Sequence, residues 1–213
     1  MKTLDKILRD ANSVLDLENA SPSGDELLTR SNYADQAIWD ASALAQLKEF
    51  KREFLTTAST LATISLPTDF REMQENPQLW ESGGWTEYPV IEVEQKYQYS
   101  TSDKYCYVLG NPRDGYKAIF NGITPSNNLS IVYQRYPSGM LTLTDVCELS
   151  DPQYVVRAIE SYVLYSRSDD RFQIAKEREE QQLSNMLGRG MKGSVPGGKS
   201  TKMTFTNPLK NLS

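Results

Sequence analysis

The sequence predicts an α+β protein: a helical bundle from N- and C-terminal helices, an antiparallel β insertion between them, and an extended C-terminal arm. Three observations carry this prediction. Apolar residues recur at helical spacing near both ends and alternate with period two in the middle. Asn, Gly and Pro cluster between the alternating runs, where turns are needed. Residues 188–213 contain five basic residues, five glycines and no acid.

The elements follow in chain order. Over residues 3–17, Leu4, Ile7, Leu8, Ala11, Val14 and Leu15 fit one helix face. Ser21-Pro22 breaks that pattern, and Ser23 with Glu26 forms a capping-box signature. Residues 24–53 then read as one helix or two, with Leu27, Leu28, Ala34, Ile38, Ala41, Ala45 and Leu47 as the buried stripe. Phe54 to Pro67 is rich in threonine and poor in charge, which suits one strand or a short hairpin. "TDFREM" reads as a turn or short helical segment. Residues 74–90 carry Asn76-Pro77, Gly83-Gly84 and Pro89 and read as loop. Trp80 and Trp85 lie within that stretch, either as interface anchors or as cover for the core.

Alternation then marks three strands, 104–109, 116–120 and 129–136, separated by turn residues at 111–115 and 121–128. They read as a small antiparallel meander. Ser150-Asp151-Pro152 starts a helix whose buried face is Val155, Val156, Ile159, Tyr162 and Val163. "SRSDDR" interrupts it, and Ser168 is positioned to cap a last helix, with Asp169 and Asp170 at its positive end. That helix is expected to stop at Gly188. The organisation is therefore 1–53 with 150–187 as helical core, 54–149 as β-rich insertion with loops, and 188–213 as a flexible basic arm.

Composition narrows the function classes. The chain has 213 residues and no 18-residue apolar run, so no membrane span or membrane partner is expected. Its N-terminal residues carry acids and lack a leader's apolar segment, which suggests a protein kept in a cytoplasm. Histidine is absent, which removes the commonest general base and most zinc sites. Cys106 and Cys147 read as small buried hydrophobes. No catalytic residue, cofactor or metal site is expected. The net charge of −5 conceals an asymmetry, because all residues outside 188–213 hold 28 acids against 18 Lys and Arg. A basic arm on an acidic body suggests that the arm has its own partner.

One motif tempts otherwise. "GSVPGGKS" at 193–200 satisfies the phosphate-loop pattern, with Lys199 and Ser200 in the functional positions. A working loop follows a buried parallel strand and opens a helix. Here a charged helix precedes it, a short segment containing Pro208 follows, and no downstream acid exists to hold magnesium. The stretch reads instead as the start of an arm that carries Lys199, Lys202, Met203, Phe205, Leu209 and Lys210 to a partner surface. The acids Asp169, Asp170, Glu177, Glu179 and Glu180 read as a solvated helix face. Tyrosines beside Lys96 and Lys104 invite a nucleic-acid reading, which the acidic body opposes.

Three stretches resemble the head-to-tail adaptor (connector) proteins of tailed bacteriophages. They are "LDKILRDANSVLDLENASPSGDELLTRSNYADQAIWD", "TTASTLATISLPTDFREM" and "LSDPQYVVRAIESYVLYSRSDDRFQIAKEREEQQLSNML". The resemblance implies a non-enzymatic virion protein of the neck, assembled in the host cytoplasm. It further implies a homo-oligomeric ring beneath the portal, commonly twelve-fold in such adaptors, around a channel that DNA crosses without sequence-specific binding. The arm would reach the portal protein, and the β region would face a neighbour or the next tail component. Another tail-completion or stopper protein is the related alternative, and a nucleotide-binding enzyme the unrelated one.

Overall fold

A computed structural model describes residues 2–17, 19–44 and 46–192. Helix α1 (Leu4–Val14) buries Leu4, Ile7, Leu8 and Ala11, the stripe its spacing predicts. Its start is tied to the segment preceding the third helix. The Leu4 amide donates to the Asp145 carbonyl at 2.8 Å, and the Cys147 amide donates to the Lys2 carbonyl at 2.9 Å. Helix α2 (Gly24–Leu44) carries Asp25 and Glu26 in its first turn, where the helix dipole favours them. Its buried face is mostly small (Ser31, Ala34, Ala37, Ala41, Ser42), so its backbone can approach a neighbour closely. Helix α3 (Pro152–Ser166) starts where the sequence predicts. Asp151 accepts the Gln153 amide at 3.1 Å, and Pro152 fills the first turn, where no amide donor is needed. Helix α4 (Phe172–Lys192) follows. The third helix packs against α1, α2 and α4, and one apolar cluster runs through all four.

The strands form two sheets that enclose a second apolar cluster. The five-stranded sheet holds β1 (Lys51–Thr57), β3 (Phe70–Met73), β4 (Gln78–Glu81), β5 (Gly84–Glu87) and β8 (Asn128–Arg135). Strand β8 is its spine, with β1 along one side and β3 then β4 along the other. The three-stranded sheet is β2 (Thr63–Ser65), β7 (Gly115–Asn121) and β6 (Tyr105–Asn111). Phe70 of the first sheet meets Tyr116 of the second at 5.2 Å between ring centroids, and Leu79, Leu129 and Ile131 share a core with Ile64, Ala118 and Phe120. The two sheets therefore face each other as a small sandwich. Polar contacts join it to the helices: Arg71 donates to the Ser42 carbonyl at 2.7 Å, and Arg135 donates to Glu148 at 2.6 Å.

Several expectations are corrected. Helix α2 ends at Leu44 rather than running to 53. A short 3₁₀ turn, Lys48–Phe50, buries Phe50 in the helical core, and residues 51–57 become a strand paired over seven positions with β8. Helix-favouring Lys, Arg and Glu yield there to sheet pairing. Leu28 is 63% exposed, because the buried stripe passes through its neighbour Leu27 instead. Phe54 to Pro67 is no hairpin: β1 and β2 belong to different sheets. "TDFREM" contains strand β3, drawn in by buried Phe70.

Residues 74–90 contain the β4–β5 hairpin, turned by Ser82 and Gly83 at φ +50° and +83°. Positive φ at both turn positions matches strand twist. The expected meander is also absent. β6 and β7 form a hairpin, but β8 lies in the opposite sheet. Finally, α4 continues through Gly188 to Lys192, and Ser168 has φ +52° while Asp169 accepts the Arg171 amide.

Candidate interaction surfaces

In β4 and β5, Leu79 and Thr86 stand opposite each other, and Leu79 points into the sandwich. Trp80 and Trp85, one position along, therefore point outward. They are direct cross-strand partners, edge to face, with ring centroids 5.3 Å apart. Trp80 is 43% exposed and Trp85 51%, so they do not cover the core. Leu55 of β1 lies on the same outer face and is also exposed. A groove of about 680 Å³ is lined by Leu55 and Trp85, with Gln78, Ser130 and Glu53. The sequence names the two tryptophans but not Leu55. Its signal was the alternation Glu53-Phe54-Leu55-Thr56-Thr57, which sets Phe54 inward and Leu55 outward.

Carboxylates surround this face. Glu53 accepts the Ser130 hydroxyl at 2.6 Å, and Glu87 accepts the Asn76 side-chain amide at 2.6 Å. Glu81, at the hairpin's end, is held by Lys104 and Thr124. The Lys104 hydrogen bond, then that of Thr124, keeps the Glu81 carboxyl below its ordinary range. Lys104 is thereby committed to Glu81 and to the Tyr88 ring. Lys96 lies 4.9 Å from the Tyr97 ring and 5.6 Å from that of Tyr107, and the tyrosines pack on one another, Tyr99 and Tyr105 at 5.1 Å.

The chemistry-bearing groups elsewhere are occupied structurally. Both cysteines are buried, which pushes the Cys106 thiol up to about 12 and the Cys147 thiol up to about 11. Asp169 binds Arg171. Glu179 is buried against Lys176 at 3.0 Å, which corrects its expected place on a solvated face. The hydroxyl of half-buried Tyr162 donates to Asp40 at 2.8 Å. Burial first, then this bond to a carboxylate, raises the phenol's pKa. Among the described residues no cluster of acids and cysteines is arranged to hold a metal, and no helix is long and apolar enough to cross a membrane.

The proposed arm contacts Lys199, Lys202, Met203, Phe205, Leu209 and Lys210 lie outside the described residues, as does the 193–200 motif. The segment before that motif is α4, a helix rather than the strand that a phosphate loop follows.

No curated protein matches the chain. A family model described as SU10 adaptor protein matches residues 3–201, which takes in both apolar clusters, the sandwich and all four helices. The chain thus belongs to the SU10 adaptor protein family, a family of phage head-to-tail adaptors.

Proposed function

We propose that this protein is a structural virion component of the phage neck that closes into a ring of about twelve copies, joining the portal above to a tail protein below. The single observation that carries this reading is the family match across residues 3–201. In this reading the helices within 1–50 and 150–192 form the frame of the ring, the β region 51–149 is an insertion facing a neighbour or the tail, and the basic segment 188–213, which begins in the last turn of α4, docks on the portal. Assembly takes place in the host cytoplasm.

The charge distribution supports the same division of labour. Outside residues 188–213 the balance is 28 acids to 18 Lys and Arg, and an acidic channel wall repels passing DNA instead of holding it. The five basic residues of the arm, interleaved with Met203, Phe205 and Leu209, suit an acidic, grooved receptor on the portal.

Co-sedimentation with purified portal tests this directly. The full chain is expected to bind, and a chain ending at residue 188 to bind at least about a hundredfold more weakly, since an extended arm of this kind supplies several anchors. A full chain that does not bind rejects the adaptor reading. Undiminished binding by the shortened chain rejects only the role of the arm.

A further inference from the structure

The sandwich presents two outer faces that point in opposite directions and differ in charge. On the five-stranded sheet the outward positions include Leu55, Trp80 and Trp85, with the acids Glu53, Glu72 and Glu87. These acids bond to Ser130, Gln74 and Asn76, all neutral, and form no ion pair among the described residues. Of the cations on β1 and β3, Lys51 points outward and is paired with Glu75, Arg71 donates to the Ser42 carbonyl, and the exposed Arg52, opposite Tyr133 of the inner face, donates to the Glu49 and Lys51 carbonyls. On the three-stranded sheet, Cys106, Ala118 and Ile64 point into the core, so Tyr107, Leu109, Lys117 and Ile119 point out. Lys96 lies over Tyr107 from the adjoining 3₁₀ segment, Val93–Gln98. No outward position of these three strands is acidic, and neither Lys96 nor Lys117 forms an ion pair among the described residues.

We propose that the acidic outer face of one copy docks on the basic outer face of a second copy, sheet on sheet. The proposal rests on the ring reading above and names the surfaces through which neighbours meet. Each face combines an aromatic and aliphatic centre with outward strand positions whose unpaired charges are of one sign, acidic on the five-stranded sheet and basic on the three-stranded one, where Glu94 of the adjoining 3₁₀ segment is the exposed acid nearest Lys96 in sequence. An acidic face repels its own kind, which disfavours a two-fold contact between identical surfaces. Pairing unlike faces leaves one of each unsatisfied at the ends, so association propagates until the array closes. The apolar centre supplies the affinity: Trp80, Trp85 and Leu55 lose water against Tyr107, Leu109 and Ile119. The surrounding charges set orientation and register. Nucleic acid and anionic membrane are poorer occupants of the acidic face, because both carry its sign.

Charge exchange on the full-length protein tests the pairing, read by sedimentation velocity over a concentration series at low salt. One variant carries Glu53→Lys with Glu87→Lys, and another carries Lys96→Glu with Lys117→Glu. All four positions lie outside the buried core, so circular dichroism should report an unchanged fold. Each pair of substitutions is expected to weaken self-association at least about tenfold, the effect of placing like charges opposite one another. A chain carrying all four, and an equimolar mixture of the two variants, should both associate again. Lys6→Glu, on the exposed side of α1, should leave association unchanged. A wild-type chain that stays monomeric, variants that associate as wild type does, or failure of the four-fold exchange to restore association would each overturn the pairing. The ring reading fails separately, by absence of portal binding.

Discussion

At the scale of single residues, the pair Arg135–Glu148 best illustrates how the two halves of the protein are fastened. Arg135 ends the central strand of the five-stranded sheet, and Glu148 lies just before α3. The guanidinium stacks 5.5 Å from the Phe50 ring and donates to Glu148 at 2.6 Å, while the Ser138 amide donates to the second carboxylate oxygen at 3.0 Å. Burial alone would raise the Glu148 pKa, but the hydrogen bonds from Arg135 and Ser138 outweigh it, and the net shift is below the ordinary 4.5. A carboxylate with a lowered folded-state pKa adds stability that is complete above about pH 4.5 and is lost as pH falls through the folded value. Glu148→Gln should therefore cost about 2 kcal/mol at pH 7, as expected for a charge-assisted contact, and progressively less below pH 4.5. Urea midpoints at pH 7 and pH 3 measure this, and equal losses at both would contradict it. No feature of the sequence marks this pair, because nothing local distinguishes Glu148 from any other loop acid. The cysteines were legible, since a chain with two distant thiols and no histidine offers them little beyond burial.

At the scale of elements, legibility followed the length of the apolar pattern. Helices α1 and α3 and strands β7 and β8 each carry three or more core residues at regular spacing, β6 carries two, and each of these elements lies within a few residues of its expected place. Strands β4 and β5 have four residues apiece and place Leu79 alone in the core, so Gly83-Gly84 dominated the reading and the segment passed for loop. The sequence singles out Trp80 and Trp85 as possible interface anchors, but the face they share with Leu55 was not legible, for the same reason. Hairpin β6–β7 depends on a glycine at one point. Gly110 has φ +124°, and a Cβ there would collide with the Gly115 carbonyl oxygen and the backbone of Tyr116. Gly110→Ala should therefore destabilise the fold by at least about 2 kcal/mol, through strain that neither backbone can relieve. Gly84→Ala, where a Cβ meets nothing within 4 Å, should stay within about 0.5 kcal/mol of wild type. Thermal unfolding of the two variants compares them, and similar midpoints would refute the backbone-clash argument.

At the scale of the whole molecule, the order of helices, strands and helices was readable, but the sandwich was not. Its central contacts are remote in sequence: β1 pairs with β8, and Glu53 bonds to Ser130 across 77 positions. Local pattern shows that a strand exists and which side is apolar, yet it cannot choose between neighbours that far apart. The resemblance to phage adaptors drew on two long-periodic helical stretches and on the threonine-rich stretch that ends in TDFREM, and the family match covers all three. The β region, where local signals were weakest, also carries the surfaces on which the proposed assembly depends. The central claim is that the chain is a ring-forming adaptor, and electron microscopy of the purified full-length protein, alone and with purified portal, tests it most directly. The account predicts closed rings of about twelve copies stacked coaxially on the portal. Particles that remain monomeric and leave the portal bare would contradict it.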